Sequence, residues 1–306
     1  MEYLGILLLA VTLGIGESLE QPQLEEEFSG HVHSTSKTVL DVLKERNLTE
    51  MSYLVTKADL NKTLAGKGPF TVFGVTDDGL SNLPIVIRER LVREKAFAVD
   101  FLKYHILPAN VTSSQMTNGK VVKTLNGKST CFNNYTVGGK KVILANGAKL
   151  VTVDLMAPNG IVQELQKPLW PQVVNNITEL IYKHKALTNF TSLLKKSGVD
   201  LTGTGPFTVF VPSNEAFKVY SGDTGEKMVN YHVVDGTYYS AGLSNKQELP
   251  THLRTFLGDK KVTILIDNGH MSVEGRKDTA KVTTMDLAAL NGVIHILDKV
   301  LTPPLI

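Results

Sequence analysis

The stretch GPFTVF occurs twice in this chain, at Gly68–Phe73 and again at Gly205–Phe210. Six identical residues, with two strand-forming aromatics and a proline, do not recur by chance in 306 residues. The agreement extends outward from them. Upstream, NLTEMSYLVTKADL (Asn47–Leu60) parallels ALTNFTSLLKKSGV (Ala186–Val199). Downstream, KYHILPANVTSSQM parallels NYHVVDGTYYSAGL, and KLVTVDLMAPNG parallels KVTTMDLAALNG. The copies are offset by about 130 positions, too long for a solenoid repeat and right for a whole domain. The chain therefore reads as two tandem domains, 34–168 and 172–303.

Each unit opens with an amphipathic helix, marked by Val39, Leu40 and Leu43 in the first and Ile177, Leu180 and Ile181 in the second. A second short helix follows near Met51–Leu54 and Phe190–Leu194. PFTVF alternates as a half-buried strand does. In SNEAF (Ser213–Phe217) Ser or Asn caps a further helix. The last third of each unit carries strands joined by Asn-Gly turns, in KKVILANGAKLVTVDL and KKVTILIDNGHMSVEG. Helices first and strands later indicate an α+β class.

The first residues, MEYLGILLLAVTLGIGES, hold an apolar run from Leu4 to Leu13 followed by small residues, which reads as a signal peptide over 1–16. The n-region departs from the pattern by carrying Glu2 and no Lys or Arg. Residues 17–33 form an acidic, flexible leader. N-glycosylation acceptors stand at Asn47, Asn61, Asn110, Asn134, Asn176 and Asn189, in keeping with a secreted, extracellular glycoprotein. No later segment has the apolar length of a membrane span, and the C-terminal DKVLTPPLI has no lipid-anchor signal. Cys131 is the single cysteine, so it is either buried or pairs between molecules. A net charge of +2 with both signs interspersed argues against nucleic acid as a partner.

GPFTVFVPSNEAF, then YHVVDG, then NGVIHILDKVLTPP resemble the three signature stretches of a fasciclin I-type domain, in that family's order. The resemblance covers nearly the whole chain after residue 33. It implies two tandem domains, each a β-wedge of two sheets flanked by helices, in a secreted adhesion and matrix family related to the periostin-like and fasciclin-like proteins. The first copy departs at FGVTDDGL (Phe73–Leu80) and has Gln163 and Gln166 where the second has His295 and Asp298.

By the same resemblance, Tyr104-His105 and Tyr231-His232 occupy a Tyr-His motif associated with integrin-dependent adhesion. Both pairs also sit within apolar runs, which makes them core residues as readily as contacts. Asp154-Leu155 and Asp286-Leu287 resemble an Asp-Ile motif presented to integrins, where an exposed carboxylate meets a metal ion. The plainer reading is that each Asp starts a turn and each Leu is core. Of the four, Asp154 is expected to be the surface contact, its removal leaving stability nearly unchanged. Leu40-Asp41-Val42, an LDV tripeptide, lies on a helix with Leu and Val inward. His31 and His33 lack the further ligands a metal site requires.

No GxSxG, HExxH or GxxxxGK[ST] pattern is present, so neither a catalytic residue nor a cofactor is assigned. The expected partners are a cell-surface receptor of integrin type, or matrix proteins and glycans, with weak self-association. The alternative is a secreted carrier of a small apolar ligand, or a hydrolase-like enzyme, using a cavity between sheet and helices.

Overall fold

A computed structural model describes residues 37–170, 173–255 and 258–304. The signal peptide, the leader and His31 and His33 lie outside the described residues. In the first domain the order is α1 (Val39–Glu45), α2 (Thr49–Lys57), α3 (Asn61–Leu64), β1 (Phe70–Val75), α4 (Asp77–Ser81), α5 (Ile85–Arg93), α6 (Lys95–Tyr104), β2 (Ile106–Leu107), β3 (Val121–Lys123), β4 (Ser129–Val137), β5 (Lys140–Ala145), β6 (Ala148–Ala157) and β7 (Gly160–Leu165). The second runs α7 (Ile177–Lys183), α8 (Thr188–Ser197), β8 (Phe207–Pro212), α9 (Asn214–Lys218), α10 (Glu226–Tyr231), β9 (Val233–Asp235), β10 (Gln247–Thr255), β11 (Gly258–Asp267), β12 (His270–Glu274), β13 (Thr279–Ala289) and β14 (Gly292–Leu297).

The two GPFTVF segments become β1 and β8, and each pairs in parallel with the last strand of its own domain, β7 and β14. Their alternation was expected to separate core from solvent. Instead Val72, Phe73, Val209 and Phe210 are all fully buried. Val72 faces a helical core with Met51 and Leu102, whereas Phe73 faces a second core with Phe132 and Leu165. Val209 and Phe210 divide in the same way. The period of two thus sorts side chains between two apolar layers, because helices cover one face of the strand and its own sheet curls over the other.

The first sheet runs β2-β1-β7-β6-β5-β4-β3, and the second closes as a barrel, β10-β11-β12-β13-β14-β8-β9. Closure comes from β9 and β13, each of which serves both sheets of the second wedge. Both predicted Asn-Gly hairpins form: Ala145 pairs with Ala148 and Asp267 with His270 across left-handed Asn146-Gly147 and Asn268-Gly269.

The second Asn-Gly of each repeat has a longer reach. Asn159 Nδ2 donates to the Leu64 and Gly66 carbonyls at 2.7 and 2.9 Å, and its Oδ1 accepts from Val39 N at 2.9 Å. Asn291 repeats this with Leu201, Gly203 and Ile177. One side chain therefore supplies a helix N-terminus with an acceptor and holds the loop before the parallel strand. The glycine beside each Asn is required by packing, since a Cβ at Gly160 or Gly292 would collide with the carbonyl oxygen of Phe70 or Phe207.

The departure at FGVTDDGL leaves the architecture intact. Thr76 takes the place of Ser213 as N-cap, accepting from Gly79 N at 3.2 Å as Ser213 accepts from Ala216 N at 3.3 Å. Gly79 replaces Ala216 because the Gln166 carbonyl occupies the space a Cβ would need.

Candidate functional site

The Tyr-His pairs end helices α6 and α10, and their side chains are at most 1% exposed. His105 Nδ1 lies 2.8 Å from the Phe101 carbonyl, and its Nε2 accepts from Leu169 N at 2.9 Å. His232 makes the same two bonds, with the Met228 carbonyl at 2.8 Å and Leu301 N at 3.0 Å. A ring that donates from Nδ1 and accepts at Nε2 is neutral. Burial lowers both histidines to about 4. Each therefore clamps the segment leaving the sheet onto the helix before it. Tyr104 and Tyr231 close the same corner by donating to the Ser129 and Lys261 carbonyls, both at 3.1 Å. These four residues present no surface to a receptor, so they are core residues and the contact reading of the Tyr-His motif is corrected.

Asp154 and Asp286 do not start turns. They stand within β6 and β13 at left-handed φ values of 59° and 63°, where the register with the neighbouring strand shifts. The bulge turns each carboxylate toward a short 3₁₀ segment. Asp154 accepts from Ser113 N and Oγ at 2.8 and 2.6 Å, and Asp286 accepts from Ser240 N and Oγ at 2.7 and 2.6 Å. Burial works to raise the Asp154 pKa, but donation from Ser113 and Gln163 outweighs it and holds the carboxyl below its ordinary value. Leu155 and Leu287 are half-buried against the helical cores. Asp154 is thus a latch as well as half-exposed, which corrects the expectation of a free carboxylate. Asp154→Ala should cost about 1–3 kcal/mol in urea unfolding, because the Ser113 donors lose their acceptor.

Gln163 and His295 stand at equivalent positions and do the same work. Gln163 accepts from Asp154 N at 2.8 Å and donates to Asp154 Oδ1 and the Val111 carbonyl. His295 Nδ1 accepts from Asp286 N at 3.4 Å, and its Nε2 lies 2.8 Å from the Tyr238 carbonyl. An amide offers a donor and an acceptor just as a neutral imidazole does, so the substitution preserves the bulge. Asp298 additionally accepts from Lys281 N at 2.7 Å.

Sequence reasoning passed over Tyr135, the middle residue of the Asn134 acceptor triplet. Its hydroxyl donates across to the Thr237 carbonyl of the second domain at 2.6 Å, and Tyr239 N approaches it at 3.4 Å. Around it Val142 and Leu144 of the first domain pack with Tyr239 and Val293 of the second. A Cβ at Gly242 would strike the Tyr135 ring. The only signal in the sequence was negative, an aromatic without a counterpart in the other repeat.

Cys131 is half-buried in a small cleft of about 100 Å³ at this junction, beside Pro206 and Tyr239. Burial raises its pKa, which keeps it in the unreactive thiol form. The folded protein should react slowly with thiol reagents until denatured and run alike with and without reductant. In the LDV tripeptide, Val42 is buried and Asp41 is engaged by Thr38 N and Oγ1 at 2.9 and 2.8 Å. Of the glycosylation acceptors, Asn47, Asn110 and Asn189 are exposed, while Asn61, Asn134 and Asn176 are half-buried. Asn176 Oδ1 caps α7, accepting from Glu179 N at 2.8 Å. Among the described residues no helix is long and apolar enough to cross a membrane.

Two related α+β modules, each tied by a Tyr-His clamp and an aspartate bulge, define a tandem-module protein. A profile described as "Fasciclin domain" matches residues 46–171 and 185–303, and the chain belongs to the fasciclin domain family. It is 25% identical over 261 residues to transforming growth factor-beta-induced protein ig-h3 of Sus scrofa, covering 80% of this chain and 36% of that protein. It is 27% identical over 274 residues to periostin of Homo sapiens, covering 85% of this chain and 30% of that protein. The chain thus spans about a third of the length of these relatives. A solved FAS1 domain pair from the insect cell adhesion molecule fasciclin I aligns at 17% identity and a TM-score of 0.38, covering 86% of this chain and 97% of that one.

Proposed function

We propose that this is a secreted, glycosylated, non-enzymatic adhesion or matrix protein that engages a cell-surface receptor, of integrin type, or matrix proteins and glycans. The observation that carries this reading is the junction around Tyr135, which joins the two family domains into one body. Two domains joined at this junction present surface from both, so a weak contact in each can add to the other. Asp154 and Asp286, with Leu155 and Leu287 beside them, remain the contact candidates because they are half-exposed.

The test is attachment of cells to the immobilised chain, with and without a divalent-cation chelator. Attachment that the chelator abolishes is the expected result. Failure of folded protein to hold cells would overturn the reading. Secretion makes a second expectation. Produced by a secreting eukaryotic cell, the protein should migrate above its 33.5 kDa polypeptide mass and return toward it when N-glycans are removed. A band that does not move would remove the secretory assignment.

A further inference from the structure

The first domain carries a helix that the second lacks. Between α4 and α6 the chain forms α5, whereas between α9 and α10 the described residues form none. Sequence and burial in α5 disagree with an ordinary surface helix. Leu91 is buried and Ile87 packs on the core, but Ile85, Val86 and Val92 are 59%, 61% and 45% exposed. An amphipathic helix places polar residues on that outer face. Tyr53 on α2 adds a further exposed aromatic at 50%.

Between α2 and α5 lies a cleft of about 280 Å³, just below the roughly 300–1,000 Å³ usual for small-molecule sites. Leu54, Leu80 and Leu91, all at most 5% exposed, contribute apolar lining, and Tyr53 and Val92 contribute exposed flanks. Arg88 also lines the cleft, and its Nε is buried without a hydrogen-bond partner. Its neighbour Arg90 is engaged, by Glu94 at 2.9 Å and by the Phe97 ring at 4.1 Å. Among the described residues Arg88 makes no ion pair, and a carboxylate is the partner that best fits a guanidinium. Glu50 lines the same cleft and repels an anion, so a carboxylate head has one favourable station, at Arg88.

We propose that the α2–α5 cleft of the first domain binds a single-chain fatty acid, with the hydrocarbon on Leu54, Leu80 and Leu91 and the carboxylate on Arg88. The volume is enough for one unbranched hydrocarbon chain. Occupancy would cover apolar surface that water now meets and set the carboxylate against the Arg88 guanidinium at the cleft wall.

Isothermal titration of the full chain with decanoate, below its micelle concentration, and with decan-1-ol tests the proposal. Decanoate should bind with one site per chain, and decan-1-ol more weakly. Arg88→Met keeps an apolar stem and removes the charge; it should weaken decanoate by about tenfold or more and leave decan-1-ol unchanged. Val92→Glu, at an exposed position, should weaken decanoate as well, with circular dichroism and the thermal midpoint confirming that both variants fold. No decanoate binding, equal affinity for acid and alcohol, or binding that survives Arg88→Met would each overturn it. So would association with phosphatidylcholine or phosphatidylserine vesicles in place of monomeric decanoate, which would make the patch a membrane contact. Cell attachment reports separately on the adhesive role, so the two readings fail independently.

Discussion

Lowering the pH from 7 toward 4 is expected to destabilise both domains steeply, through His105 and His232. Both rings are buried and neutral, held to about 4 chiefly by burial, against 6.5 for a free imidazole. Below pH 6.5 the unfolded chain takes up protons that the native rings refuse, so the stability owed to neutrality is complete above 6.5 and is lost as pH falls toward 4. At about 1.4 kcal/mol per pKa unit, each histidine contributes about 3 kcal/mol to this loss. Burial lowers His295 as well, in the same direction, although the nearby Asp286 charge opposes it. The measurement is the urea midpoint at pH 7 and pH 4.5. His232→Gln should be less stable at neutral pH and should show a shallower pH dependence in the second domain. A variant as acid-sensitive as the parent would exclude His232 as the source.

Truncating Tyr231 to alanine is expected to cost about 3–5 kcal/mol, the loss usual for a buried aromatic that leaves a cavity. Its ring packs with Phe210, Val234, Leu253 and Leu301, and its hydroxyl donates to the Lys261 carbonyl of β11. Tyr231→Phe separates the two contributions, because it keeps the packing and removes only the bond, and should cost about 0.5–1.5 kcal/mol. Comparable losses in both variants would show that the hydroxyl, rather than the ring, holds the corner. Cell attachment should follow stability in these variants, since the Tyr231 side chain does not reach the surface.

Much of this architecture was open to reading because the chain states it twice. The six-residue identity, the paired Tyr-His segments and the Asn-Gly steps report a whole domain repeated, and local patterns place the helices before the strands. The hairpins at Asn146-Gly147 and Asn268-Gly269 follow from backbone preference alone, as Asn and Gly enter the left-handed region at low cost. The N-caps at Thr76 and Ser213 are equally local, each needing only a side-chain oxygen three residues before a free N–H.

The site residues divided differently. Asp154 and Asp286 look in sequence like surface acids before a turn. Their role depends on a serine about 40 residues earlier that only the folded sheet brings to the bulge. Gln163 differs from His295 in residue type but matches it in hydrogen-bonding capacity, an equivalence visible only once both partners are in place. Internal repetition and local pattern in the sequence thus determined that this protein is a tandem α+β repeat with helices before strands in each half, because hydrophobic pattern and turn chemistry act over a few residues; the helix-flanked wedge was implied only by the family resemblance. Tertiary structure decided that the second sheet closes, that the Tyr-His pairs are clamps, that Tyr135 joins the domains and that α5 leaves an apolar cleft beside Arg88. Those outcomes rest on contacts between segments far apart in the chain, whose burial and polar pairing are settled only when the folded chain brings them together.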